Sequence, residues 1–148
     1  MFPNADLAER RRSMVAAMRL FLIRHAKADP GDPDELRPLT GEGREQAREL
    51  GDRLSRHPTP PAIVLTSPLL RARQTAEPIA RAAGAELRVE SRLAPGASVA
   101  ALRAALSGLD GPVAAGGHQP DCSDIAFALT GRDPGFPAAG VLEVEVPA

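Results

Sequence analysis

The sequence predicts an α/β domain of three layers, with helices on both faces of a largely parallel sheet. Two observations predict it. Short apolar runs alternate along the chain with longer segments of helical periodicity, the pattern of successive strand–helix units. The apolar runs are continuous rather than alternating, as strands covered on both faces are. A third observation places the chemistry. Several of these runs open abruptly into Arg, His, Ser or Gly, and open α/β sheets bind ligands at the carboxyl ends of their strands.

Residues 19–24 read as the first strand, ending in Arg24-His25. Residues 29–38 carry three prolines and four acids and read as a loop. Residues 41–56 read as a helix with Thr40 as N-cap and Ala47, Leu50 and Leu54 on one face. Residues 62–66 form a second strand. Ser67-Pro68 then has the signature of a helix start, with Ser as the cap and Pro at the first helical position. Ala72, Ala76, Ile79, Ala80 and Ala83 give this helix a small-residue packing face, and Gly84 suits its end. A short strand over 86–89, a helix over 98–107 and a strand over 112–115 follow. Gly116-Gly117-His118 reads as a turn, whose glycines allow close approach to a ligand. A helix over 120–130 is closed by Gly131. Residues 141–146 alternate apolar and acidic side chains, as an exposed edge strand does. No repeat or linker divides the chain. Residues 1–17 form an N-terminal extension, either a tail or an amphipathic helix, ahead of a domain over 18–148.

Composition excludes several classes. A chain of 148 residues is long enough to bury about 70% of its unfolded surface in one core. It has no Trp or Tyr, so base-stacking platforms for single-stranded nucleic acid are absent. A net charge of −1 argues against nucleic-acid and membrane-surface binding. Cys122 stands alone, which fits a reducing compartment, and no apolar run approaches a membrane span or a signal peptide. The expected location is the cytoplasm. Of the 18 basic residues only Lys27 is lysine, so an arginine's position, not its presence, must carry any functional argument.

Three strand ends supply complementary groups. Arg24 beside His25 offers a planar fork for an oxyanion and an imidazole that serves as nucleophile, acid or base. Arg71 lies in the first turn of the helix after Ser67-Pro68, where backbone N–H groups favour phosphate. His118 follows the glycine pair. Each group alone is as well explained by a solvated loop. Together, two histidines and two arginines make a cationic cup suited to phosphoryl transfer onto a histidine. No acidic cluster indicates Mg²⁺ and no His/Cys spacing indicates zinc, so no metal or other cofactor is expected.

In these pieces the chain resembles the histidine phosphatase superfamily, in its small SixA-like branch of phosphohistidine phosphatases. The matching segments are Leu22-Ile23-Arg24-His25-Ala26-Lys27-Ala28, Arg37-Pro38-Leu39-Thr40 with Gly43, Ser67-Pro68-Leu69-Leu70-Arg71-Ala72 with Gln74-Thr75-Ala76, and Gly117-His118-Gln119-Pro120. They occur in the family's order over roughly residues 18–146. The resemblance implies a phosphoglycerate-mutase-like fold with a mixed, mostly parallel sheet. It implies that His25 is the phosphorylated residue and that Arg24, Arg71 and His118 complete the phosphate pocket. Arg37 and Gln119 are candidate substrate-binding residues. His57 matches no motif.

Larger members of the family supply a carboxylic acid from an insertion after the second motif. Here the span 76–98 is short and holds only Glu77, Glu86 and Glu90. A phosphohistidine leaves as a protonated ring and has less need of an acid. The expected activity is therefore a metal-independent phosphatase working through a phosphohistidine intermediate, with a protein phosphohistidine as substrate. The alternatives are a small-molecule phosphomonoesterase, acting on a sugar phosphate or nucleotide, and a phosphate-binding regulatory module without turnover. The acidic loop, through Asp29, Asp32, Asp34 or Glu35, is the other candidate source of an acid.

Overall fold

Strands that are apolar on both faces need cover on both faces, and helices flank this sheet on either side. A computed structural model describes residues 17–147. The elements run β1 (Ala17–Arg24), α1 (Gly41–Ser55), β2 (Ile63–Thr66), α2 (Leu70–Ala83), β3 (Glu86–Val89), α3 (Val99–Leu106), β4 (Val113–Gly117), α4 (Asp121–Thr130) and β5 (Val141–Pro147). Single 3-10 turns lie at Asp34–Leu36 and Ser91–Leu93. The sheet order is β3-β2-β4-β1-β5, with β5 antiparallel to β1 and every other pairing parallel. This is the mixed, mostly parallel α/β fold that the sequence predicts.

Alternate residues of each central strand enter opposite cores. Leu20, Leu22, Leu65, Val113 and Ala115 pack with Leu102 and Leu106 of α3 and Ile125 of α4. Phe21, Ile23, Val64 and Ala114 pack with Leu50 and Leu54 of α1 and Ile79 of α2. Each large aliphatic side chain buried in this way contributes about 1.5–3 kcal/mol. The helix ends follow the sequence. Thr40 Oγ1 accepts the Gly43 N–H at 2.9 Å, and Ser98 Oγ accepts that of Ala101 at 3.1 Å. Gly84 and Gly131 close α2 and α4 in the left-handed conformation, with φ of 65° and 77°.

Three boundaries differ from expectation. α2 begins at Leu70 after an uncapped Leu69, so Ser67 is not its cap. β4 runs on through Gly116 and Gly117, because both continue the parallel ladder with β1. Ala17, assigned from sequence to the N-terminal extension, pairs with Pro147 in the sheet. The rest of that extension lies outside the described residues. No helix among the described residues is long and apolar enough to cross a membrane.

α1 and α2 approach closely at Gly51. A Cβ there would stand 2.8 Å from the Pro78 carbonyl oxygen and 3.3 Å from Ile79 Cα. Gly51→Ala should therefore cost about 1–3 kcal/mol through overpacking, read as a lowered melting temperature. Gly41→Ala is the control, since its Cβ meets nothing within 4 Å. Equal melting temperatures for the two variants would contradict this contact.

Candidate active site

Strand register gathers the predicted groups. Arg24 at the end of β1 lies opposite Gly117 of β4, and Thr66 at the end of β2 lies opposite Gly116. The ladder extends one residue further on each side. His25 N–H donates to Gly117 O and Ser67 N–H to Gly116 O, both at 3.0 Å. Three chain segments therefore leave the sheet at one level, carrying His25, Ser67 and His118.

His25 is held as a neutral ring with one bare nitrogen. Its Nδ1 lies 2.7 Å from its neighbour's carbonyl, Ala26 O, an acceptor that requires the proton on Nδ1. Nε2 is then the nitrogen with a free lone pair, and Arg71 Nε donates to it at 3.3 Å. Burial lowers the His25 pKa below its ordinary value. Arg71, Arg24 and Arg37 lower it further, while the bond to Ala26 O acts in the opposite direction. The following peptide is fixed as well. Thr75 Oγ1 accepts the Ala26 N–H at 2.9 Å and donates to Arg71 O at 2.8 Å, which couples the His25 loop to the first turns of α2.

Arg71 is 6% exposed, and each of its three guanidinium nitrogens makes a hydrogen bond. Beyond Nε on His25, Nη1 donates to Asp34 O at 2.8 Å and Nη2 to Asp34 Oδ2 at 3.1 Å. Arg37 Nη1 donates to the other carboxylate oxygen at 3.1 Å. The acidic loop thus folds against the pocket, but Asp34 arrives as an anion. The guanidiniums of Arg37 and Arg71 hold its pKa below the usual carboxylate range, the reverse of what a general acid needs. Its carboxylate occupies donors suited to a phosphoryl group.

His118 is 4% exposed, and its ring centroid lies 5.2 Å from that of His25. Burial, with His25 and Arg71 beside it, pushes its pKa down to about 4. Its Nε2 lies 2.7 Å from Ser67 Oγ, and its Nδ1 is buried without a partner among the described residues. Arg24 Nη1 donates to Phe136 O at 2.8 Å, while its buried Nε likewise has no partner. Two buried nitrogens near His25, Arg24 Nε and His118 Nδ1, are therefore without partners among the described residues, while the His25 Nε2 lone pair accepts from Arg71.

Arg37 sits at the rim, its Nε on Asp29 O at 2.7 Å. Gln119 is turned away: both ends of its amide bond Ser123 in the first turn of α4, at 2.8 and 2.9 Å. The glycine pair is not demanded by the protein's own backbone, since a Cβ on Gly116 or Gly117 would meet only ordinary contacts at 3.8 Å. Glu86 and Glu90 pair with Arg88 and Arg92, and Glu77 lines a groove between α1 and α2. His57 bonds Glu143 at 2.9 Å and packs edge-on against Phe21, a structural placement. Among the described residues no group of three or more His, Cys, Asp or Glu side chains is arranged to hold a metal. Sequence reasoning missed the contact of Ser67 with His118 and that of Asp34 with Arg71. Thr75 and Gln74 were visible as a motif without a role. Gln74 Oε1 accepts the Leu39 N–H at 2.8 Å and so anchors the far end of the acidic loop.

Comparison with known proteins places this geometry. A family model described as the histidine phosphatase superfamily (branch 1) matches residues 20–95. A protein of Picosynechococcus sp. is 38% identical over 137 residues, covering 84% of this chain and 83% of the relative. The protein histidine phosphatase SixA, solved with tungstate, superposes with a TM-score of 0.78 at 27% identity, covering 86% of this chain and 87% of that one. A SixA protein of Agrobacterium tumefaciens gives a TM-score of 0.74 at 28% identity, covering 84% and 88%. A mycobacterial glucosyl-3-phosphoglycerate phosphatase shares the fold, with a TM-score of 0.67 at 21% identity over 87% and 90%.

Asp34→Asn should tighten binding of inorganic phosphate and of vanadate, because the carboxylate competes for the same donors; inhibition constants measure this, and unchanged or weaker binding would contradict it. The buried histidines also predict a pH dependence of stability. Unfolded, His118 takes a proton below its ordinary 6.5; folded, it does so only below about 4. Between those values the unfolded state binds more protons, so stability is full above the window and falls as pH drops through it. The shift corresponds to about 3 kcal/mol, and His25, also lowered, adds to the loss. Urea midpoints should fall across this window and fall less in His118→Asn. An identical slope in that variant would contradict the buried neutral state.

Proposed function

Since the chain belongs to the histidine phosphatase superfamily, we propose that it is a phosphohistidine phosphatase, with His25 as nucleophile and a protein-borne phosphohistidine as substrate. The observation that carries this reading is the His25 ring, whose proton is on Nδ1 and whose Nε2 lone pair lies beneath the guanidinium of Arg71. In the first step Nε2 attacks phosphorus in line. A P–N bond to His25 forms as the bond to the leaving group breaks, and the leaving imidazole departs neutral because it carries a proton from the start. Arg24, Arg71 and the N–H of neutral His118 hold the phosphoryl oxygens as charge redistributes. Water then attacks the phosphorylated His25, Nε2 leaves with its electron pair, and phosphate is released.

The carboxylates support the substrate class. Glu86 and Glu90 are committed to Arg88 and Arg92, and Asp34 is held ionised by Arg37 and Arg71. These three are therefore poor proton sources for a departing alkoxide, whereas a protonated phosphoimidazole needs no such help. The lone Cys122 is buried and burial pushes its thiol up to about 12, so it stays protonated and is no competing nucleophile.

The expected order of kcat/KM is phosphohistidine protein, then activated aryl phosphate, then sugar phosphate. Arg71→Ala should lower kcat/KM by about a hundredfold or more, and Arg81→Ala, at the far end of α2, should leave it unchanged. A sugar phosphate turned over best, with that activity lost on replacing a carboxylate of the acidic loop, would instead establish a small-molecule phosphomonoesterase.

A further inference from the structure

Ser67 is fully buried. Its Oγ accepts the Leu69 N–H at 3.2 Å and lies 2.7 Å from His118 Nε2. A serine hydroxyl has one proton to donate. Among the described residues, His118 Nε2 is the one acceptor that this hydroxyl reaches. Two proton arrangements are available. With a proton on Nε2, Ser67 Oγ receives two N–H donors and its own O–H has no acceptor. His118 Nδ1 is then a second unpaired buried atom, a bare lone pair. With the proton on Nδ1, the Ser67 O–H donates to Nε2, and only the Nδ1–H lacks a protein partner. Buried polar groups are overwhelmingly paired, so the arrangement with the fewer orphans prevails.

We infer that Ser67 is a positioning residue: its hydroxyl fixes His118 as the Nδ1–H tautomer and so reserves the ring's one N–H for the transferring phosphoryl group. The inference rests on the phosphatase reading for its last clause, but the tautomer itself stands on the geometry. A charged imidazolium donates from both nitrogens and needs no selection. A neutral ring donates from one, and His118 is kept neutral by burial and by the positive charge of Arg71. In the wrong tautomer a neutral His118 turns its N–H onto Ser67 and leaves a lone pair where a donor is needed.

Long-range proton–nitrogen NMR on the 15N-histidine-labelled protein tests this directly. The chain has only three histidines, His25, His57 and His118, so single substitutions assign the signals. The expected spectrum of the ligand-free wild type shows His118 protonated on Nδ1 and bare on Nε2, with the Nδ1 signal moving on addition of vanadate. Ser67→Ala should admit the Nε2–H form and lower kcat on an activated aryl phosphate roughly tenfold to a hundredfold, part of the cost of losing a preorganised donor, with KM little changed. Ser67→Thr, which keeps the hydroxyl, should restore both. A proton on Nε2 in the wild type overturns the inference, as does Ser67→Ala with wild-type tautomer and kcat. If Ser67→Ala does not fold, the wild-type spectrum alone decides. The spectrum does not depend on substrate, so absence of phosphohistidine turnover would refute the proposed function and leave the tautomer assignment standing.

Discussion

The parallel register of β1, β4 and β2 is the constraint on which the site depends. It sets Arg24 opposite Gly117 and Thr66 opposite Gly116, so three chain segments leave the sheet at one level. A slip of one residue in any strand would turn its side chains to the other face and exchange the two cores. That penalty is large, because Leu20 and Leu22 serve one core while Phe21 and Ile23 serve the other. The packing of the sheet therefore fixes where His25 and His118 emerge, and their ring centroids come to 5.2 Å of each other. The geometry of the candidate site follows from core geometry.

Within that frame, desolvation acts with positive charge. His25 is half-buried and His118 buried, both beside Arg71, and the pKa of each is lowered. For His25 neutrality preserves the lone pair that the proposed mechanism uses. For His118 it limits the ring to one N–H and makes the choice of tautomer matter. Arg71 is desolvated by its burial, which Asp34 offsets by occupying its outward donors at 2.8 and 3.1 Å. The same contact joins the acidic loop to the first turn of α2.

Much of this was legible in the sequence, for identifiable reasons. Continuous apolar runs and helical periodicity give the layers, since both record burial directly. Arg24-His25, Arg71 and His118 could be brought together because strand ends in an open α/β sheet share one edge. The Ser67–His118 and Asp34–Arg71 contacts were not legible. Each joins loop residues distant in sequence, and local signals pointed elsewhere: Ser67-Pro68 has the pattern of a helix cap, and the acidic loop that of a source of protons. The glycine pair misled in a smaller way. Gly116 and Gly117 continue a strand with no positive φ and no close backbone contact, so their chemistry is that of ladder residues.

In the proposed mechanism His25 carries the phosphoryl group through the reaction. Rapid alkaline quenching during turnover of a 32P-labelled substrate, followed by peptide mapping, measures it most directly. The expected result is a base-stable, acid-labile label on Nε2 of His25, absent in His25→Ala. A label on His118, an acid-stable label on any side chain, or full turnover in His25→Ala would contradict it.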